Sequence, residues 1–512
     1  MPAKLVRKPN RPKRALQFNG AALRAPLLHF TDSTRGEKLA TAFPAVREVV
    51  QEFVSAQNIP GLAFGIVVDG ALAYADALGL RHIESGAPVT CDTVFRIASM
   101  SKSFIAMSIL KLRDAKKLRL DDPAAKYIPE LKTLAYPTRD SAVITVRDLL
   151  TMSPGFPEDN PWGDRQMAMS EREFAKRLRA GIPFSNAPNT TFEYSNYGYA
   201  ILGRIITRVS GIKFQNYVAK NILKPLNMHA TTWDKTRVPS AHLAQGYRWE
   251  AETWKPELML PDGAFAAMAG LFTTVPDFAR YMACLLDAFP PRDEAERGPV
   301  KRATARAMQQ LMCYEELVTR TLAEDNVWRA VSGYGYGLAV WHDERFGQGV
   351  SHGGGLPGFG SYFYLLPAYG MGVVALSNKT YARVGAVFPK IFDVLAKTGG
   401  LTRRTIPPAP ILEQMRGVVQ RWLEDGPDDE IAAHAADNFY LDADAAHRRA
   451  ELNALRTEVG AYTRVGEFCA LNALRGTWRV ECENGGIDVL VTLTPTLPPR
   501  IQMVKLTSFK QE

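Results

Sequence analysis

Phe95-Arg96-Ile97-Ala98-Ser99-Met100-Ser101-Lys102 opens a stretch whose apolar residues keep helical spacing as far as Leu112. A Ser and a Lys three residues apart at the start of a helix share one face of the first turn, so the amine can touch the hydroxyl. The helix N-terminus adds a positive backbone potential and free N–H groups beside Ser99. That field favours an oxyanion and eases deprotonation of the lysine. One turn thus holds a nucleophile and its activator, although a chain of this composition contains about one Ser-x-x-Lys by chance.

Working outward, Leu62 to Val68 and Ala71 to Ala77 flank Asp69-Gly70, a strong hairpin signal, and Glu37 to Ala56 before them has helical periodicity. Helices are expected at Ser195 to Val209, Pro276 to Leu286 and Gly385 to Lys397. Strands are expected at Tyr336 to Trp341, Gly347 to His352, Ser361 to Leu366 and Met371 to Ser377. Early and late strands framing a helical middle make an α+β plan, an antiparallel sheet flanked by helices plus a helical subdomain. The predicted organisation is a flexible basic tail over 1–30, a large domain over 31–400, a proline-rich linker over 401–410 and a small α+β domain over 411–512. The last shows no catalytic cluster, only helices at Ile411 to Leu423 and Ala445 to Leu455 and strands at Cys469 to Glu481 and Ile487 to Thr494.

Two further pieces could join the Ser-Lys pair. Tyr194-Ser195-Asn196 precedes a helical run: a phenol facing ammonium groups has its pKa lowered and can act as a base, and an asparagine amide can hold a substrate carbonyl. His352-Gly353-Gly354-Gly355 ends a predicted strand, where glycines let a substrate lie close against the strand edge and expose an N–H.

The formal charge of +9 does not indicate nucleic-acid binding, because Lys4, Arg7, Lys8, Arg11, Lys13, Arg14 and Arg24 all precede the first acidic residue, Asp32. The tail lacks the apolar stretch of a secretory signal, and no apolar run is long enough to span a bilayer, so a cytoplasmic location is expected unless the start is mis-assigned. Cys91, Cys284, Cys313, Cys469 and Cys482 are odd in number and widely spaced, which reads as buried free thiols. No metal or organic cofactor is implied. Partners reduce to a small-molecule or short-peptide substrate, with homo-oligomer formation left open.

Taken together and in this order, the three motifs resemble the β-lactamase-related serine hydrolases, a family that includes class C β-lactamases, D-alanyl-D-alanine carboxypeptidases, D-aminopeptidases and esterases. The resemblance runs from about Ala42 to Lys397. It also takes in Leu118-Arg119-Leu120-Asp121-Asp122-Pro123, the stretch Ile144 to Gly155, Ala269-Gly270-Leu271-Phe272-Thr273-Thr274 and Tyr334-Gly335-Tyr336-Gly337-Leu338. It implies the β-lactamase/transpeptidase-like fold and an acyl-enzyme on Ser99, with Lys102 and Tyr194 sharing proton transfer. Asn196 would orient substrate, His352 and Gly354 would line the site, and the N–H groups of Ser99 and Gly355 would form the oxyanion hole.

Two departures stand out. Many β-lactamases carry Lys-Thr-Gly where this chain has His352-Gly353-Gly354, and a histidine is mostly neutral at pH 7. Without a permanent ammonium for an antibiotic's carboxylate, peptides, amides or esters become the expected substrates and β-lactams weak ones. Met152-Ser153-Pro154 replaces the family's usual His-Thr-Ser, outside the inferred catalytic set.

Among other readings, an α/β-hydrolase lipase would need a Gly-x-Ser-x-Gly elbow after its His-Gly-Gly-Gly, and none exists. A zinc enzyme would need clustered histidines, but the eight present are scattered. A catalytically silent binding or regulatory protein on the same fold is the alternative of a different class, and three intact motifs argue against it.

Overall fold

The computed structural model describes residues 27–323 and 326–510, so the basic run of the tail lies outside the described residues. The chain divides into two compact units, residues 32–403 and a second made of residues 404–512 with the N-terminal segment up to Thr31. Within the second unit His29 and Thr405 exchange backbone hydrogen bonds of 3.1 and 2.9 Å.

The larger unit is built on an antiparallel sheet with nine strands among the described residues. They are β1 (Gly61–Val68), β2 (Ala71–His82), β3 (Ala87–Pro88), β4 (Cys313–Ala323), β5 (Asn326–Tyr334), β6 (Ala339–Asp343), β7 (Gly347–Leu356), β8 (Phe359–Leu366) and β9 (Met371–Ser377). Their spatial order is β3-β2-β1-β9-β8-β7-β6-β5-β4. The first and last strands of this unit therefore pair inside the sheet, with Phe64 opposite Ala375. The β1–β2 turn places both Asp69 (φ 49°) and Gly70 (φ 83°) in the left-handed region, the geometry that Asp-Gly accepts in a two-residue hairpin.

Each strand's alternation sorts side chains between two cores. On β8, Phe363 and Leu365 join the core under the helices α2 (Ser101–Asp114), α3 (Asn196–Ser210) and α4 (Val275–Leu286). Tyr362 and Tyr364 point the other way, against α1 (Phe43–Ala56) and α5 (Phe388–Lys397). Helices cover both faces of the sheet, and the region between β2 and β4 supplies the helical subdomain.

Several sequence expectations need correction. The helix foreseen over Glu37 to Ala56 is two, Arg35–Ala40 and Phe43–Ala56, because Pro44 must sit in a first turn. The long hairpin β4–β5 was not foreseen. The strand foreseen to stop at His352 continues through all three glycines to Leu356, paired residue for residue with β8 around Pro357-Gly358. The strand placed at Tyr336 begins instead at Ala339. Cys469 is exposed although Cys482 is buried, and all five cysteines are free thiols.

In the second unit, α6 (Pro410–Leu423) and α7 (Ala445–Val459) accompany a five-stranded antiparallel sheet. Leu412, Val419 and Trp422 share its core with Trp478, Val480, Ile487, Val489 and Val491. No helix among the described residues is long and apolar enough to cross a membrane.

Candidate active site

Ser99 lies in a 3₁₀ turn, Ala98–Met100, that leads into α2. This turn is held on both sides. The Ile97 N–H donates to Leu271 O at 2.9 Å, and the Ser361 hydroxyl on β8 donates to Ile97 O at 2.8 Å. Ala98 is left-handed (φ 47°), a strained conformation for a residue with a Cβ that costs on the order of 1 kcal/mol and persists only where its surroundings impose it. Gly354 shows how tight that imposition is. A Cβ there would collide with the Ile97 carbonyl and the Ser361 hydroxyl and come within 3.0 Å of the Ala98 Cβ. Gly354 is therefore the contact between β7 and the Ser99 turn, and it is not among the residues lining the cleft where the sequence reading put it.

At the second residue of α2, Lys102 is fully buried. Its Nζ stands 2.9 Å from Ser99 Oγ, 2.6 Å from Asn196 Oδ1 and 2.9 Å from Met268 O. The last two are carbonyl oxygens, which can only accept. An amine that gives them two N–H groups has one direction left, toward Ser99, and in the neutral amine that direction is the lone pair. Burial pushes the Lys102 pKa down to about 7, against a pull upward from the Asp159 and Asp164 carboxylates. Near neutral pH the amine is thus available as a base.

Tyr194 differs from expectation. Burial drives its pKa well above the usual phenol value, and the charges of Asp164 and Asp159 push the same way, while a hydrogen bond with Ser99 opposes them. Lys102 Nζ faces the ring, 4.8 Å from its centroid. Burial therefore favours the neutral phenol over a tyrosinate.

Asn196 also needs correction. It is fully buried, and its side chain is engaged on both ends: Oδ1 accepts from Lys102 and Nδ2 donates to Asn160 Oδ1 at 2.7 Å. It orients the lysine and does not line the cleft. The Asp159 carboxylate accepts from the N–H groups of Asn196 and Tyr197, both at 2.8 Å, and so anchors the start of α3. Met152, one of the departures from the family pattern, sits behind the same turn, its sulfur accepting from the Ser195 N–H at 3.3 Å.

His352 is 5% exposed, with Nδ1 2.6 Å from Gly353 O and Nε2 2.8 Å from the Tyr334 hydroxyl. Because a carbonyl cannot donate, the proton is on Nδ1 and Nε2 accepts from Tyr334. Burial, reinforced by Lys102, lowers the imidazole pKa from 6.5 to about 3, so this position carries no charge at neutral pH.

These groups border an open cleft of about 650 Å³ that includes Ser99, Tyr194, His352, Gly353 and Gly355. Sequence reasoning missed much of its wall. Asp164 is buried, receives a 2.9 Å hydrogen bond from the Tyr381 hydroxyl, and has its pKa raised to about 6 by burial. Asn160, Glu315, Glu316 and Trp341 also line the cleft, on segments whose local pattern carries no motif. Only Tyr334 lay in a segment already tied to the family.

A sequence model of the family Beta-lactamase matches residues 46–396. The chain belongs to the β-lactamase family. Protein flp of Staphylococcus aureus (strain COL) is 28% identical over 334 residues, 64% of this chain and 62% of that protein. The chain thus spans less than two thirds of the length of these curated relatives. A β-lactamase of Lysobacter lactamgenus is 26% identical over 369 residues, 69% of this chain and 91% of the enzyme.

Two solved structures share the fold. The octameric penicillin-binding protein homologue from Pyrococcus abyssi aligns with TM-score 0.58 and 22% identity over 92% of this chain and 96% of its own. That span exceeds residues 32–403, so the likeness runs into the C-terminal unit. The penicillin-binding protein from Bacillus halodurans aligns with TM-score 0.55 and 21% identity over 68% and 98%.

Two outcomes follow from this β-lactamase-family site. Gly354→Ala must push β7 off the Ser99 turn, so a loss of a few kcal/mol in urea unfolding is expected, about the cost of overpacking a core; an unchanged urea midpoint would refute the close contact. His352 makes stability fall with pH: its folded pKa lies below the unfolded one, so its contribution is complete above pH 6.5 and is lost as pH drops toward 3. At roughly 1.4 kcal/mol per unit, urea midpoints of wild type and His352→Gln should diverge across that window, with the variant less acid-sensitive; parallel curves would refute a neutral buried imidazole.

Proposed function

We propose that the protein is a serine hydrolase that cleaves amide, peptide or ester bonds through an acyl-enzyme on Ser99. The observation that carries this reading is the Lys102 amine, buried, depressed in pKa and 2.9 Å from the Ser99 hydroxyl. In the first half-reaction Ser99 Oγ bonds to the substrate carbonyl carbon while its proton passes to Lys102 Nζ. The carbonyl electron pair moves onto oxygen, where the N–H groups of Ser99 and Gly355 receive it. As the oxyanion collapses, the bond to the leaving group breaks, and the Tyr194 phenol supplies the proton that group needs. The proton taken by Lys102 makes up the loss. Water then attacks the acyl carbon by the same steps in reverse.

The charge of the cleft supports a choice among substrates. Its ionisable walls are Asp164, Glu315 and Glu316 with a neutral His352, and no lysine or arginine lines it among the described residues. A substrate carboxylate finds no cation there, and three acidic groups repel it. Neutral esters and amides suit the site better than carboxylate-bearing β-lactams.

Wild type is expected to hydrolyse p-nitrophenyl butyrate with kcat/KM at least ~100-fold above that for nitrocefin, a difference of about 3 kcal/mol in transition-state stabilisation. kcat/KM should rise with pH through a midpoint near 7 as Lys102 loses its proton. Ser99→Ala and Lys102→Met should each lose at least ~10³-fold, and a fluorophosphonate should add to wild type but not to Ser99→Ala by intact mass. A folded protein inert to every ester, amide and probe would refute the reading and favour a silent binding protein.

A further inference from the structure

Opposite the nucleophile helix, on the α5 face of the sheet, a second cavity of about 160 Å³ lies among Trp328, Phe346, Tyr364, Phe388 and Phe392. Its remaining walls include Trp341 and Tyr362, which are walls of the catalytic cleft as well. The two spaces therefore meet at these two side chains, at the edge where β7 runs on past the end of β6. On this face β7 presents Gly349 opposite Trp341 and Gly353 opposite Tyr362, with Ser351 between. A Cβ at Gly353 would meet the Tyr362 ring at 3.2 Å, so the glycine lets that ring lie close against β7 where the two spaces meet.

Two polar side chains around the chamber are engaged elsewhere. Trp341 Nε1 donates to Ser351 Oγ at 3.0 Å, which fixes the indole as an apolar partition. Arg345 is ion-paired with Asp393, and its guanidinium lies 4.6 Å from the Phe346 ring centroid. Phe388 stands edge-on to Tyr362 with centroids 5.2 Å apart, an arrangement that also receives a guest ring well. The size is that of one ring, since an engineered apolar cavity of about 150 Å³ takes up benzene.

Acyl transfer decides which part of a substrate points here. The leaving group must end beside its proton donors, Tyr194 and Lys102, so the acyl substituent is the portion that extends the other way, along β7. We propose that the chamber walled by Trp341, Tyr362 and Phe388 is an acyl subsite that seats a single aromatic ring, or an alkyl group of like size, on the substrate. This inference rests on the serine hydrolase reading above.

The test compares p-nitrophenyl acetate, butyrate and 3-phenylpropionate on the full chain. In wild type kcat/KM should rise at least tenfold from acetate to 3-phenylpropionate. Phe388→Trp, which fills the chamber, should cut the ratio of 3-phenylpropionate to acetate at least fivefold. Phe346→Trp fills it from the β6–β7 turn and serves if the first variant does not fold. Ser99 labelled by a fluorophosphonate with a flat acyl series, or a ratio unchanged in the folded filling variants, overturns the subsite alone; no turnover and no labelling overturns both the subsite and the serine reading.

Discussion

Lys102 is an amine with no access to water, and its three neighbours leave it a single chemical option. Asn196 Oδ1 and Met268 O accept two N–H groups, and the remaining direction ends on Ser99 Oγ. Taking a lysine out of water is costly when it is charged, and among the described residues no carboxylate is ion-paired with it to offset the cost; Asp159 and Asp164 act only at longer range. The fold resolves this by lowering the pKa, and the result is a base at neutral pH. Much of the surrounding architecture serves to hold those acceptors in place. Asp159 and Ser195 fix the start of α3 and hence Asn196, while the segment before Gly270 delivers the Met268 carbonyl.

Ser99 is positioned from the opposite side by the sheet. Ser361 reaches from β8 to the Ile97 carbonyl, Leu271 accepts from Ile97, and Gly354 lets β7 approach so closely that no side chain fits between. Ala98 takes a left-handed conformation between these clamps. The sheet and the helical subdomain thus meet at one turn, and each contributes half of what that turn needs.

Much of this was legible in the sequence because it is local. Asp69-Gly70 signalled its hairpin, and Ser99 and Lys102 sit one helical turn apart as their spacing requires. What escaped depends on burial or on distant partners. An ammonium beside Tyr194 implied an acidic phenol, but Lys102 meets the ring face while burial and three carboxylates raise the pKa. Asn196 read as a substrate ligand, yet Asn160 and Lys102 use its amide. Asp164 and Tyr381 are 217 residues apart and meet only through the fold. The glycines after His352 looked like a strand end, and only pairing with β8 shows that the strand continues through them.

The most direct test is the ionisation of Lys102 itself, read by NMR on protein carrying ¹³Cε-labelled lysine and titrated from pH 5 to 11, with Lys102→Met assigning the resonance. One lysine signal titrating near pH 7, and missing from that variant, is the result this account predicts. A Lys102 signal that stays protonated until about pH 10, like an ordinary lysine, would contradict it.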